Sequence, residues 1–136
     1  MSAHNSRKRR FGISIPEYIA EQIDALSKRL KANRSSLISE AIIEYLQDRG
    51  HYLTPHQCKG ILIVTGEVDT SLLMNLIKEC HDVVRNYSHM HVDNDCINVI
   101  VVSGSSTRVA YFHKKLTSMK KCSIRFIPLC HCIGVQ

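Results

Sequence analysis

Arg10-Phe11-Gly12-Ile13-Ser14-Ile15-Pro16 is the stretch on which the fold turns. Phe11, Ile13 and Ile15 fall on one face and Arg10, Gly12 and Ser14 on the other, the period of a short strand. Pro16 ends that strand and suits the first turn of a helix, and Ile19, Ile23, Leu26 and Leu30 then recur at helical spacing. The spacing predicts a helix from about Pro16 to Lys31. Asn33-Arg34-Ser35-Ser36 interrupts it, and Ser35 or Ser36 is expected to cap a second helix whose apolar stripe is Leu37, Ala41, Ile42, Tyr45 and Leu46. Gly50 closes that helix. One strand with two helices cannot satisfy the strand's backbone groups or bury both stripes by itself. A second copy of the chain is required.

This strand-helix-helix order, over about residues 9–48, resembles the ribbon-helix-helix family of DNA-binding domains. In that family two chains pair their strands into an antiparallel ribbon that enters the major groove, where each base pair shows its own donor and acceptor pattern. The resemblance implies a double-stranded DNA operator as partner and places Arg10, Gly12 and Ser14 at the base-reading positions. Gly12 has no side chain, so this ribbon would read fewer bases than a typical relative. Asn33, Arg34, Ser35 and Ser36, at the start of the second helix, match the family's phosphate clamp.

Charge agrees with an anionic partner. Residues 1–35 carry eight Lys or Arg against three acids, which is most of the net +6 of the chain. With 136 residues, 44% of them hydrophobic, the chain suits one domain or two very small ones and excludes a large catalytic domain. Its longest apolar runs, Ile61 to Val64 and Val99 to Val102, are far short of the roughly 20 residues a membrane span needs. The basic run Arg7 to Arg10 is not followed by the apolar core of a signal peptide, so a cytoplasmic protein is expected. Six cysteines there would stay mostly reduced and serve metal binding, core packing or catalysis rather than a disulfide framework.

All six cysteines and seven of the eight histidines lie beyond residue 50. The expected division is 1–50 DNA-binding, 51–58 linker and 59–136 a second domain. That second domain reads as strand (60–67), helix (70–86), strand (88–92), strand (96–103), helix (107–119) and strand (122–129). The order is βαββαβ, an α+β ferredoxin-like or ACT-like sheet with two helices on one face.

Within it, His89-Met90-His91 puts two imidazoles on one face of a strand, and the turn Val92 to Asp95 places Cys96 opposite His91. Two imidazoles and a thiolate suit nickel, cobalt, copper or zinc. His89 to Gly104, read as His-x-His, a turn, then Cys and a hydrophobic strand ending in Gly, resembles the metal motif of the NikR family of nickel-responsive regulators. That family joins a ribbon-helix-helix domain to an ACT-like domain, so the resemblance covers the whole organisation. It implies Ni(II) bound in a square plane by His89, His91 and Cys96, with a histidine from a neighbouring subunit across a tetramer interface. It also implies dimers through the ribbon and tetramers through the ACT-like domain. An enzyme with Cys96 as nucleophile and a histidine as base is not expected, since no oxyanion loop or phosphate-binding Gly-rich motif is evident.

Two departures stand out. The turn before Cys96 is one residue shorter than the family's, and Lys78 occupies the ungapped position of the fourth ligand, where an ammonium cannot coordinate. His81, three residues on and nearly on the same helix face, is the candidate substitute, from the same chain or a neighbour. Without it, three protein ligands and an open position would suit cobalt, copper or zinc as well as nickel. A regulator sensing a small metabolite is the other alternative. Cys80 and Cys122 are expected in the core, His113 in solvent, and His56 and Cys58 carry no signal. Cys130 and Cys132 flank His131 as a soft dithiolate pair that could extend the main site or hold a second metal.

Overall fold

Along Gln57–Gly66 (β1) the residues Cys58, Gly60, Leu62 and Val64 are buried while their neighbours are less so, the period of a strand with one covered face. The computed structural model describes residues 7–130. The elements before β1 are helices Glu17–Leu30 (α1) and Arg34–Gln47 (α2) and a single 3-10 turn, Gly50–Tyr52. After it come helix Thr70–Glu79 (α3), strands Val84–Val92 (β2) and Asp95–Ser105 (β3), helix Ser106–Thr117 (α4) and strand Cys122–Pro128 (β4). The chain divides into two compact units, one ending at Ala41 and the other beginning at Ile42.

In the second unit the four strands form one antiparallel sheet in the order β2-β3-β1-β4. This is the ferredoxin-like topology expected from the sequence. Asp69 caps α3 by accepting from the Leu72 N–H, and Ser105 caps α4 by accepting from that of Arg108. Leu73 and Leu76 of α3 and Val109, Phe112 and Leu116 of α4 close over Leu62, Val64, Ile100, Val102 and Phe126 of the sheet. The opposite face, with Ile61, Ile63, Ile97, Val99, Val101 and Ile127, keeps its apolar side chains partly exposed.

Several expectations need correction. The long helix ends at Glu79 rather than near residue 86. Arg108 holds Asp82 bidentately, at 2.9 and 3.1 Å, and donates to the Glu79 carbonyl at 3.2 Å, so the last turn is tied off there. The β-branched Val83 and Val84 then feed the sheet, Val83 buried and Val84 opening β2. His81 therefore lies in a tight turn. His51, placed in the linker by sequence, is 3% exposed, and His113, expected in solvent, is 2% exposed. Their rings meet at 2.8 Å between His51 Nε2 and His113 Nδ1, with Phe126 packed against both. Burial lowers the pKa of each to about 4, the neighbouring imidazole adding to the effect on His51 and Arg49 to that on His113. Cys80 is in the core as expected, whereas Cys122 packs against its margin, its thiol donating to the Glu67 carbonyl.

The N-terminal unit has no buried side chain on α1, and α2 buries none either. Residues 10–15 form no strand in the single chain, and Phe11 is 77% exposed. A lone strand has no ladder to join, which is the condition a second copy would relieve.

Candidate metal centre and nucleic-acid interface

β2 and β3 are joined by Asp93 and Asn94, both with positive φ (49° and 70°), the backbone of a two-residue turn that matches the natural twist of a hairpin. The register that follows pairs His91 with Cys96 and His89 with Asn98. These four side chains share the core-bearing face of the sheet, at the end where His89 and His91 are exposed to solvent.

His89 Nε2 stands 3.1 Å from His91 Nε2 and 3.8 Å from Cys96 Sγ. Two imidazole nitrogens sharing a cation at about 2.0–2.1 Å stand about 2.9 Å apart at a right angle and about 3.3 Å apart at a tetrahedral one. The spacing of the two imidazoles fits a shared ion, whereas Cys96 Sγ stands beside His89 alone, 3.6 Å from its Nδ1, and the three donors do not all lie within 4.8 Å of one another. The tautomer of His89 is fixed from behind. Asn98 is 1% exposed; its amide donates to the acceptor-only carbonyl of Val64 at 3.4 Å, which turns Oδ1 toward His89 Nδ1 at 2.8 Å. Nδ1 must then carry the proton, leaving the Nε2 lone pair on the His91 side. The Tyr87 hydroxyl donates to the same Oδ1 at 2.7 Å, and burial, with Cys96 nearby, raises its pKa and keeps it a donor. Asn98 and Tyr87 were missed in the sequence, though an Asn alternating inward between Cys96 and Ile100 was a signal.

His81 sits at the other end of β2. Its Nδ1 approaches the Lys78 carbonyl at 3.1 Å and the residue is exposed. Five extended steps from Val84 to His89 span about 17 Å, so the reading of His81 as a ligand from the same chain fails. Lys78 is exposed on α3. Cys130 follows β4, far from the hairpin, and does not extend this group; Cys132 lies outside the described residues.

In the head, Arg10, Gly12 and Ser14 are exposed. The cap of α2 is Asn33, whose Oδ1 accepts from the Ser36 N–H at 2.8 Å, and not Ser35 or Ser36. Both serine hydroxyls therefore stay available at a helix N-terminus, the arrangement that favours a phosphate. Arg34 pairs with Asp24 at 3.3 Å on the surface, a contact weak enough to exchange for a phosphate.

Residues 7–48 match the ribbon-helix-helix domain, and residues 68–123 match the NikR C-terminal nickel-binding domain. Among curated proteins the chain is similar to one of Methanococcus vannielii named "Putative nickel-responsive regulator", 31% identical over 118 residues that cover 82% of this chain and 84% of that one. It is 30% identical over 118 residues to one from Pyrococcus abyssi, covering 82% and 85%, and 27% identical over 116 residues to one from Syntrophus aciditrophicus, covering 82% and 85%. Among solved structures, an uncharacterised protein of Thermotoga maritima aligns with a TM-score of 0.49 at 15% identity, over 55% of this chain and all of that one.

A ribbon-helix-helix head followed by an ACT-like sheet defines a DNA-binding transcriptional regulator of two parts, working as an oligomer. The chain belongs to the NikR family of nickel-responsive regulators, as a divergent member.

Proposed function

We propose that this chain is a cytoplasmic, homo-oligomeric regulator in which Ni(II) bound at His89, His91 and Cys96 controls operator binding by the ribbon. The observation that carries this reading is the hairpin geometry: two Nε2 atoms 3.1 Å apart, a thiol 3.8 Å from that of His89, and a buried amide setting the tautomer. The division of labour is residues 1–50 for DNA and 59–136 for metal and assembly. Paired strands would bury Phe11, Ile13 and Ile15 and present Arg10, Gly12 and Ser14 to the major groove, with Asn33, Arg34, Ser35 and Ser36 on flanking phosphates. The partly exposed sheet face of Ile61, Ile63, Ile97, Val99, Val101 and Ile127 supports association of dimers into a tetramer.

Bound metal supplies a rigid link between donors of different chains. His89 and His91 contribute neutral nitrogens, Cys96 a thiolate, and His81 of a neighbouring copy the fourth donor. With a ligand on each of two protomers, metal binding favours one arrangement of the heads, which is coupling between two distinct sites.

The test is a titration of anaerobically purified protein with Ni(II), Co(II), Cu(I) and Zn(II), with operator binding followed at each metal level. One tight Ni(II) per chain, lost in His89→Ala and Cys96→Ser, together with nickel-dependent DNA binding, is expected. Preference for another metal, or DNA binding indifferent to Ni(II), would overturn the nickel assignment.

A further inference from the structure

A second group of metal-ligating side chains lies at the far end of the sheet from the hairpin. His56, Cys58 and Cys130 bring one donor atom each to within 4.8 Å of one another. No local pattern associates them, since 72 positions separate the two cysteines.

The backbone explains the meeting. β1 and β4 pair Gly60 with Pro128, and the Leu129 N–H donates to the Lys59 carbonyl at 2.8 Å, which carries the ladder on until Cys58 faces Cys130. His56 is two residues before Cys58 and shares its side of the strand. It is also stapled to the start of α4: its N–H donates to Ser106 Oγ at 3.0 Å and its carbonyl accepts from the Ser106 N–H at 2.8 Å. The position of this imidazole is thus set by the fold and not by a mobile loop.

Three features point to a ligand. First, His56 Nδ1 lies 2.6 Å from the Thr54 carbonyl, so it bears the proton and leaves Nε2 as the lone-pair nitrogen. That Nε2 is buried and has no hydrogen-bond partner among the described residues. An imidazole held by a backbone carbonyl at one nitrogen with the other bare is the orientation used by metal-ligating histidines. Second, the two sulfurs are 4.0 Å apart, twice the length of a disulfide but close to the roughly 3.8 Å that two thiolates span when they share a tetrahedral ion at about 2.3 Å. A right-angled planar pair would require about 3.3 Å, so the spacing favours a tetrahedral ion over planar nickel. Third, one neutral nitrogen and two thiolates balance a divalent cation, which lowers the cost of placing it beside Cys58, itself 1% exposed.

We propose that His56 Nε2, Cys58 Sγ and Cys130 Sγ form a second metal site, selective for a thiophilic tetrahedral divalent ion of the zinc type, with a fourth position left for water or a further donor. Across the sheet Cys58 pairs with Gly104, eight residues along β3 from Cys96. That separation is roughly 26 Å, so no ion can serve both groups. The site joins the beginning of β1 to the end of β4 and to α4, and loading it stabilises the sheet edge instead of linking it to a neighbour.

The experiment isolates this site by removing the other. Full-length protein carrying His89→Ala, His91→Ala and Cys96→Ser is freed of metal, kept reduced and titrated with Co(II), then with Zn(II). The expected result is one Co(II) per chain with the intense visible bands of tetrahedral coordination and a thiolate charge-transfer band, all displaced by Zn(II). Adding Cys130→Ser or His56→Ala should weaken Zn(II) binding by more than the 10- to 100-fold typical of losing an outer-shell partner. Circular dichroism of these two variants checks that the fold is kept, a safeguard Cys58→Ser lacks because that side chain is in the core. Absence of a thiolate–cobalt band in the triad-deficient protein overturns the proposal, as does undiminished Zn(II) affinity in the His56→Ala, Cys130→Ser combination. Loss of nickel response in the parent protein leaves this result untouched, so the two proposals fail separately.

Discussion

Asn98→Ala tests the logic of the hairpin centre without touching a ligand. The Asn98 amide donates to the Val64 carbonyl, accepts from Tyr87 and from His89 Nδ1–H, and points Nδ2 at Cys96 Sγ at 3.6 Å. Alanine removes all of these while leaving His89, His91 and Cys96 in place. His89 then loses the acceptor that fixes its tautomer, and outer-shell losses of this type cost about 10- to 100-fold in metal affinity. That is about 1.4–2.7 kcal/mol of binding free energy. Folding stability should also fall by about 2–3 kcal/mol, because the Val64 carbonyl and Tyr87 hydroxyl lose a partner in a buried setting. Asn98→Asp keeps the acceptor for His89 and Tyr87, so it should retain more nickel affinity than alanine. The assay is competition for Ni(II) against a chelator of known affinity, with urea unfolding of the metal-free protein alongside. Nickel affinity equal to the parent's in a folded Asn98→Ala protein would refute the reasoning, since the amide would then be packing only.

Four further outcomes are expected. His51 and His113 are neutral in the folded protein down to about pH 4 but protonate near 6.5 when unfolded, so stability is complete above pH 6.5 and falls between 6.5 and 4. The slope approaches about 1.4 kcal/mol per pH unit for each histidine, and denaturation midpoints that stay flat from pH 7 to 5 would contradict the buried pair. Gly60→Ala puts a Cβ 2.4 Å from the Phe126 ring and 2.9 Å from the Ile127 carbonyl, so a loss of about 1–3 kcal/mol is expected in thermal unfolding. Arg10→Ala should cost about 1–3 kcal/mol in operator binding and relax selectivity at one base position while nickel uptake is unchanged; equal affinity would sink the ribbon assignment. His81→Ala should weaken Ni(II) binding at least about tenfold and alter its visible spectrum only in the assembled oligomer, and an unaltered spectrum would remove His81 as the fourth donor.

The order of elements in the second unit, its βαββαβ topology and the pairing of His91 with Cys96 were legible in the sequence, because each depends on short-range periodicity, whereas the strand expected over residues 10–15 does not form in the single chain. Alternation over residues 96–103 and the spacing in His89-Met90-His91 are local rules that need no knowledge of the rest of the chain. The C-terminal end of α3 was not legible: Val83 and Val84 extend the helical pattern, and only Arg108, 26 positions away from Asp82, ties the chain off. The same applies to His51 and His113, which read as linker and surface until the sheet and α4 close over them. His56, Cys58 and Cys130 meet solely through the β1–β4 register, a long-range pairing with no periodic trace in any one segment. Sequence alone determined the donor chemistry on offer and the strand or helix period that carries it, since both are properties of nearby residues. Tertiary structure decided which donors share a site, because cross-strand neighbours are chosen by how the whole sheet registers.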